Sequence, residues 1–169
     1  MSSEIINRVK KSSLRTIDPE LFYPDIQRIS FDLKPWLKDG LLLVEKDFRK
    51  SVDNHNWNQY IDKGVSIICS NDAIIPDWAY MLISSKLENF NIIHIIGSNE
   101  DLEIKLLYDA INNYNFNEFK NKSVIIKGCS EQKIPLAAFS MILNKIQPIA
   151  KSIMFGEACS SVPIYKSKK

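Results

Sequence analysis

Glycine, cysteine and histidine are all scarce in this chain: five Gly, three Cys and two His among 169 residues. No apolar run approaches the roughly 18 residues that cross a bilayer, which excludes a membrane-spanning helix. The opening Met1-Ser2-Ser3-Glu4 has neither the basic stub nor the apolar stretch of a secretion signal, so a cytoplasmic location is expected. Neither sign of charge is in excess. Twenty-two basic and twenty acidic residues leave a formal charge of +2, which gives no reason to expect nucleic acid or a membrane surface as partner, and the Lys166, Lys168, Lys169 tail reads as a solvated end. The sequence contains no G-x-G-x-x-G, no P-loop and no G-x-S-x-G, so no nucleotide cofactor is expected and a hydrolase elbow has no support. An odd number of cysteines without a secretion signal argues against a disulfide framework and for reduced thiols.

What is present is the composition of a folded protein. Hydrophobic residues make up 45% and charged residues 25%, which removes disordered, collagen-like and coiled-coil classes together. A chain of 169 residues suits one domain of the usual size of roughly 100 to 200 residues, and a single α/β domain over 1–169 is expected.

From residue 64 a simple unit recurs: a short apolar run rich in β-branched residues, a turn, then a longer stretch with helical spacing. The runs are Val65-Ser66-Ile67-Ile68, Ile92-Ile93-His94-Ile95-Ile96, Val124-Ile125-Ile126 and Ser152-Ile153-Met154-Phe155. Continuous apolarity is what a strand needs when helices cover both faces, as in a parallel sheet. Helices are predicted from about Pro76 to Leu87, Asp101 to Tyr114 and Pro135 to Ile149, the last holding Pro148 in its final turn. Right-handed crossovers then give a three-layer α/β sandwich with a mainly parallel sheet of about four strands, a βαβαβαβ core over 64–163.

The glycines agree with this parse. Gly40 and Gly64 precede strand candidates, Gly97, Gly128 and Gly156 follow them, and none falls inside a predicted helix. Within residues 1–60, Arg28 to Leu33 alternates like a strand, Leu41 to Val44 resembles another, and Glu45 to Val52 reads as a short helix. An N-terminal strand pair packed on the main sheet is the expected result. Asn54-His55-Asn56-Trp57-Asn58 is a polar turn with one aromatic anchor.

Each cysteine comes just after a strand candidate: Cys69, Cys129 and Cys159. In an open parallel sheet such carboxyl ends form one rim, where these folds bind ligands. Each is followed by Ser and, a few residues later, by an aliphatic residue and Pro: Ile75-Pro76, Ile134-Pro135 and Val162-Pro163. Helix N-termini beside Cys69 and Cys129 would favour thiolates, and thiolates bind soft metals. Three of them with one further ligand suit Zn²⁺ or an iron–sulfur cluster, and Glu157, Asp72 and His55 are candidate fourth ligands. The spacing lacks paired C-x-x-C knuckles, and Cys is also a common small buried hydrophobe, so packing cysteines remain an open alternative. His94, inside an apolar strand, reads as a satisfied core histidine. Lys127, at the rim, is either an anion contact or a side chain reaching solvent.

Residues 69–80, Cys69-Ser70-Asn71-Asp72-Ala73-Ile74-Ile75-Pro76-Asp77-Trp78-Ala79-Tyr80, together with Lys127-Gly128-Cys129-Ser130 and the stretch Lys151 to Pro163, carry a resemblance. With Ile17-Asp18, Phe22-Tyr23-Pro24, Lys46-Asp47-Phe48-Arg49, Asn54-His55-Asn56-Trp57 and Tyr60, the chain resembles, over nearly its whole length, a bacterial family of domains of unknown function, numbered 2480. The resemblance implies a small cytosolic protein, with Cys69, Cys129 and Cys159 on the family's cysteine positions. It also implies iron–sulfur assembly proteins as partners, because the genes of members lie near those for cluster assembly.

Three functions are therefore open at this point. The first is a cytosolic accessory protein holding zinc or an iron–sulfur cluster on the three cysteines and assisting cluster assembly. The second is a protein- or ligand-binding scaffold with structural cysteines, and the third is a sulfur transferase carrying a persulfide on one thiol.

Overall fold

A computed structural model describes residues 14–128, 132–157 and 160–168. The strands are β1 (Leu14–Ile17), β2 (Gln27–Asp32), β3 (Lys63–Ile68), β4 (Ile93–Ile96), β5 (Ser123–Ile126), β6 (Ser152–Glu157) and β7 (Ser160–Lys166). The helices are α1 (Glu45–Asn54), α2 (Asp77–Glu88), α3 (Asn99–Asn113) and α4 (Leu136–Ile146). All four apolar runs are strands, and all four predicted helices form. Helix α4 stops at Ile146, two residues ahead of Pro148, which therefore lies beyond the helix. A proline there would clash with the carbonyl four residues earlier.

The mixed α/β class holds, but the strands form two sheets where one was expected. β2, β3 and β4 make a wholly parallel sheet, while β1, β5, β6 and β7 make a second, parallel up to β6 with β7 antiparallel at its edge. Periodicity reports which residues are buried but not which strand completes the pairing; β3 takes β2 as its second neighbour, and β5 takes β1. The expected N-terminal strand pair of Arg28 to Leu33 with Leu41 to Val44 does not form: the first of these is β2, which pairs with β3. Leu41 to Val44 contributes only a single bridge, Lys38 to Leu42, around Asp39 and Gly40 at positive φ, and Leu41 and Leu42 are exposed. Strand β7 went unseen because Pro163 and the lysines suggested a solvated end; an edge strand tolerates proline.

The chain divides into two compact units, one from Met1–Tyr23 with Leu107–Lys169 and the other from Pro24–Leu106. The boundary falls inside α3. Taken separately, the units are built to one plan, with a displacement of 59 residues from Pro24–Leu106 to its counterpart: Ala79 to Ala138, Ile83 to Ile142, Gly97 to Gly156. Strand pairing keeps this displacement, since Gly64 faces Ile93 in one unit and Ser123 faces Ser152 in the other. Asp62 and Asn121, at matching positions ahead of the central strand, share a φ near +60° (60° and 59°). The first strands correspond as well: Arg28 faces Gly64, and Leu14 faces Ser123.

Each unit packs its own core from corresponding residues. Phe48, Val52, Trp57, Val65, Ile67, Ala79, Ile83 and Leu87 are buried together in one. Leu107, Ile111, Phe116, Val124, Ile126, Ala138, Ile142 and Ile146 are buried together in the other. β3 is buried at Gly64, Val65, Ser66 and Ile67 and so is covered on both faces. Its one polar residue is satisfied there, Ser66 Oγ donating to Asn99 Oδ1 at 2.7 Å. Helix α3 starts at that point behind a reciprocal cap, in which Ser98 N–H donates to Asp101 Oδ2 at 2.8 Å and Asp101 N–H to Ser98 Oγ at 3.2 Å.

Ile83 and Ile142 have no exposed surface at matching positions of α2 and α4. Ile83→Ala and Ile142→Ala should each lower the unfolding free energy by about 2–5 kcal/mol. Urea denaturation of the two variants measures this, and a loss near zero in either would show that its core does not rest on that helix face.

Candidate functional site at the strand ends

Both units place an aspartate just where the first strand ends. In the Pro24–Leu106 unit this is Asp32, whose Oδ1 accepts the Lys34 N–H at 3.0 Å and opens a short 3₁₀ turn. Asp18 does the same in the other unit, accepting the Glu20 N–H at 3.1 Å. The aspartates then differ in partner. Asp32 takes the hydroxyl of Ser70 at 2.6 Å and its N–H at 3.0 Å, whereas Asp18 takes the ammonium of Lys127 at 2.8 Å.

In the Pro24–Leu106 unit, Cys69 follows β3 as a free, half-buried thiol packed against the core. Tyr80 lies close enough to feel Cys69 and Asp32, and burial first, then those charges, push its hydroxyl above the ordinary tyrosine range. Asp72 is exposed on the following loop. His55 sits in an aromatic cage instead of an open turn. Its ring lies 4.7 Å from Trp57, 5.3 Å from Trp36, 5.5 Å from Phe31 and 5.6 Å from Tyr60, and its Nε2 is 2.9 Å from the Tyr60 hydroxyl. Burial holds its pKa below the usual imidazole range. The matching residue is Tyr114, packed on Phe22 and Phe116, so this position serves ring packing in both units. His94 is satisfied as expected: Nδ1 is 2.7 Å from the Ile92 carbonyl and Nε2 2.5 Å from Ser84 Oγ.

In the other unit β5 and β6 run side by side to their carboxyl ends, with Ile126 facing Phe155. Gly128 lies close under the Phe155 ring: a Cβ on it would stand 3.0 Å from that ring, which would have to give way. Gly156, at φ +125°, is required, because a Cβ would meet the Ser160 carbonyl at 2.5 Å. Around these glycines stand Asp18, Glu20, Lys127 and Glu157. Lys127 is held protonated by the hydrogen bond and charge of Asp18, with Glu157 and Glu20 adding to its field. Glu20 Oε1 accepts the Gln132 N–H at 2.9 Å. Glu157 Oε1 is buried and has no hydrogen-bond partner among the described residues. A desolvated carboxylate oxygen left unpaired is costly, and such an atom in a native protein calls for an explanation such as an ion or ligand donor.

Two of the three sequence-predicted thiols, Cys129 and Cys159, lie outside the described residues. Among the described residues, Gly128 directly precedes Cys129, two residues past the end of β5, and Glu157 ends β6 two residues before Cys159. Cys69 and Asp72 belong to one unit and Glu157 to the other. Among the described residues no group of three or more His, Cys, Asp or Glu is placed to hold a metal ion. Sequence reasoning placed Lys127 at the rim but missed its pairing with Asp18, because the two are 109 residues apart and only strand register brings them together.

Fold and rim together define a duplicated α/β protein whose polar and charged side chains gather where its parallel strands end. The family model described as Protein of unknown function (DUF2480) matches residues 3–167, and the chain belongs to that family. Comparison with curated proteins and with solved structures gave no match. Among the described residues no helix is long and apolar enough to cross a membrane.

The ion pair fixes a pH signature. The Lys127 hydrogen bond holds the Asp18 carboxyl below its ordinary range, so its contribution is present above about pH 3.9 and fades as pH falls through the lowered value. Lys127 is raised, so its share is present below about pH 10.4 and is lost as pH climbs through the raised value. Asp18→Asn should therefore be destabilised at neutral pH and converge with the parent protein in acid. Urea unfolding across a pH series reads the difference, and a gap independent of pH would remove the pair from this role.

Proposed function

We propose that the protein is a cytoplasmic accessory protein that carries Zn²⁺ or an iron–sulfur cluster at the carboxyl rim of β5 and β6. The thiolates of Cys129 and Cys159 and the carboxylate of Glu157 are the ligands this reading assigns. The observation that carries it is the buried Glu157 Oε1, without a hydrogen-bond partner among the described residues, two residues ahead of one cysteine and at the end of the strand beside the one that leads to the other. Thiolate with carboxylate is a donor set that zinc accepts, and thiolates are the usual ligands of iron–sulfur clusters. The Lys127 ammonium offsets part of the negative charge such ligands bring together. Iron–sulfur assembly proteins are the partners this reading serves. The same proposal keeps the three-layer arrangement, with helices over both sheet faces, that the two-sided burial of β3 supports.

Protein purified without oxygen should contain stoichiometric zinc, or iron with acid-labile sulfide, by elemental analysis. Cys129→Ser, Cys159→Ser and Glu157→Gln should each lose or weaken it while the far-ultraviolet circular dichroism stays unchanged. Cys69→Ser separates a two-thiol from a three-thiol ligand set. Folded parent protein free of metal under these conditions would overturn the proposal.

A further inference from the structure

Among the described residues the sheet edges are β1 and β7 in one unit and β2 and β4 in the other. An edge offers unpaired N–H and C=O groups to any passing strand, and proteins guard it with charge, proline or a bulge. β1 holds Arg15, β2 holds Arg28 and Asp32, and β7 holds Pro163, Lys166 and a bulge at Ile164. β4, Ile93-His94-Ile95-Ile96, has none of these, and its register with β3 is unbroken. Ile93 is 39% and Ile96 48% exposed, and the alternation of a strand puts them on opposite faces of the sheet.

The duplicated plan shows what such an edge carries. β4 corresponds to β6 under the displacement of 59 residues, and the outer side of β6 is covered by β7, an antiparallel strand. No described strand takes that place beside β4. Gly97 N–H donates to the Ile67 carbonyl at 3.1 Å, so Gly97 and, at every second residue before it, Ile95 and Ile93 turn their N–H and C=O toward β3. His94 and Ile96 turn theirs outward, where they meet no partner among the described residues. Ile92, ahead of the strand, is satisfied within the chain: its N–H donates to the Leu87 carbonyl at 3.1 Å and its carbonyl accepts from His94 Nδ1 at 2.7 Å.

In an antiparallel ladder, pairs that exchange both backbone bonds alternate with pairs that exchange none. A twofold axis normal to the sheet, placed beside Ile95, sets Ile95 against Ile95 of the partner subunit as an unbonded pair. On either side of it His94 meets Ile96 of the partner subunit as a bonded pair, and the outward N–H and C=O of His94 and Ile96 are satisfied in both copies. Rotation about that axis keeps each face of the sheet on its own side. Residues 91–98 hold no Lys, Arg, Asp or Glu, so no like charges meet across the pair.

We infer that β4 is the contact of a homodimer, in which two copies of this chain join their Pro24–Leu106 sheets into one continuous sheet by antiparallel β4–β4 pairing. The contact rests on neither the cysteines nor any metal.

Sedimentation equilibrium of the full chain should give twice the chain mass at about 100 μM. Ile96→Lys, which puts a guarding charge at an exposed edge position, should raise the dissociation constant at least about tenfold and leave the far-ultraviolet circular dichroism unchanged. With oxidised glutathione, Ile95→Cys should give a disulfide-linked dimer, because an unbonded pair holds its Cα atoms about 4.5 Å apart, within disulfide reach. Ile93→Cys, whose copies stand more than about 10 Å apart in this register, should cross-link no more than the parent. A parent chain still monomeric at about 1 mM, a dimer untouched by Ile96→Lys, or cross-linking through Ile93→Cys in place of Ile95→Cys would overturn the inference.

Discussion

A strand apolar on both faces can exist only as an interior strand, and in each unit one such strand sets the terms for everything around it. β3 and β5 hydrogen-bond to a neighbour on either side and need apolar cover above and below. Parallel neighbours cannot be reached by a tight turn, so each pairing calls for a crossover, and the crossovers supply the helices. Ala79, Ile83 and Leu87 on α2, and Ala138, Ile142 and Ile146 on α4, are the same answer to the same requirement. The strand ends then emerge together, which is why Asp18, Lys127 and Glu157 share one rim although the chain holds them far apart.

The two copies of the plan have diverged where they meet solvent and agree where they are packed. Val65 and Val124, Ile67 and Ile126, and Ile83 and Ile142 are identical residues, whereas Ser70 stands opposite Cys129 in sequence. Packing constrains volume and apolarity, so Phe48 can become Leu107 without changing the architecture. At the rim no such constraint acts, and one aspartate binds a serine while the other binds a lysine. Of the repeated Cys-Ser and aliphatic-Pro pattern only Ile75-Pro76 and Ile134-Pro135 come from this duplication, since they coincide under the same displacement while Cys69 falls opposite Gly128; Val162-Pro163 belongs instead to β7, the strand that only one unit has.

Element positions were legible in the sequence because β-branched runs and helical spacing are local signals. The strands at Val65, Ile93, Val124 and Ile153, and the helix stripes of α2 and α4, were all readable in this way. Pairing was not legible. The first strands are short and mixed in character, with Thr16 and Arg15 exposed in β1, and nothing in Leu14–Ile17 announces a partner more than 100 residues away (Leu14 to Ser123). At the candidate site, strand-end placement pointed to the rim and to its cysteines. The orphaned Glu157 oxygen and the Asp18–Lys127 pair depend on register, and the aromatic enclosure of His55 depends on Phe31 and Trp36 arriving from another element.

One consequence of this connectivity concerns synthesis. The stretch Pro24–Leu106 is continuous, so it leaves the ribosome with every strand and helix its core requires, while β1 has already emerged and its partner β5 is still to be translated. A nascent chain thus carries the four-residue β1 without its sheet partner until β5, more than 100 residues later, has been made. Closing that long loop carries an entropic cost that the continuous half does not bear, and the bipartite half waits for β5, β6 and β7 to be made before its sheet can form.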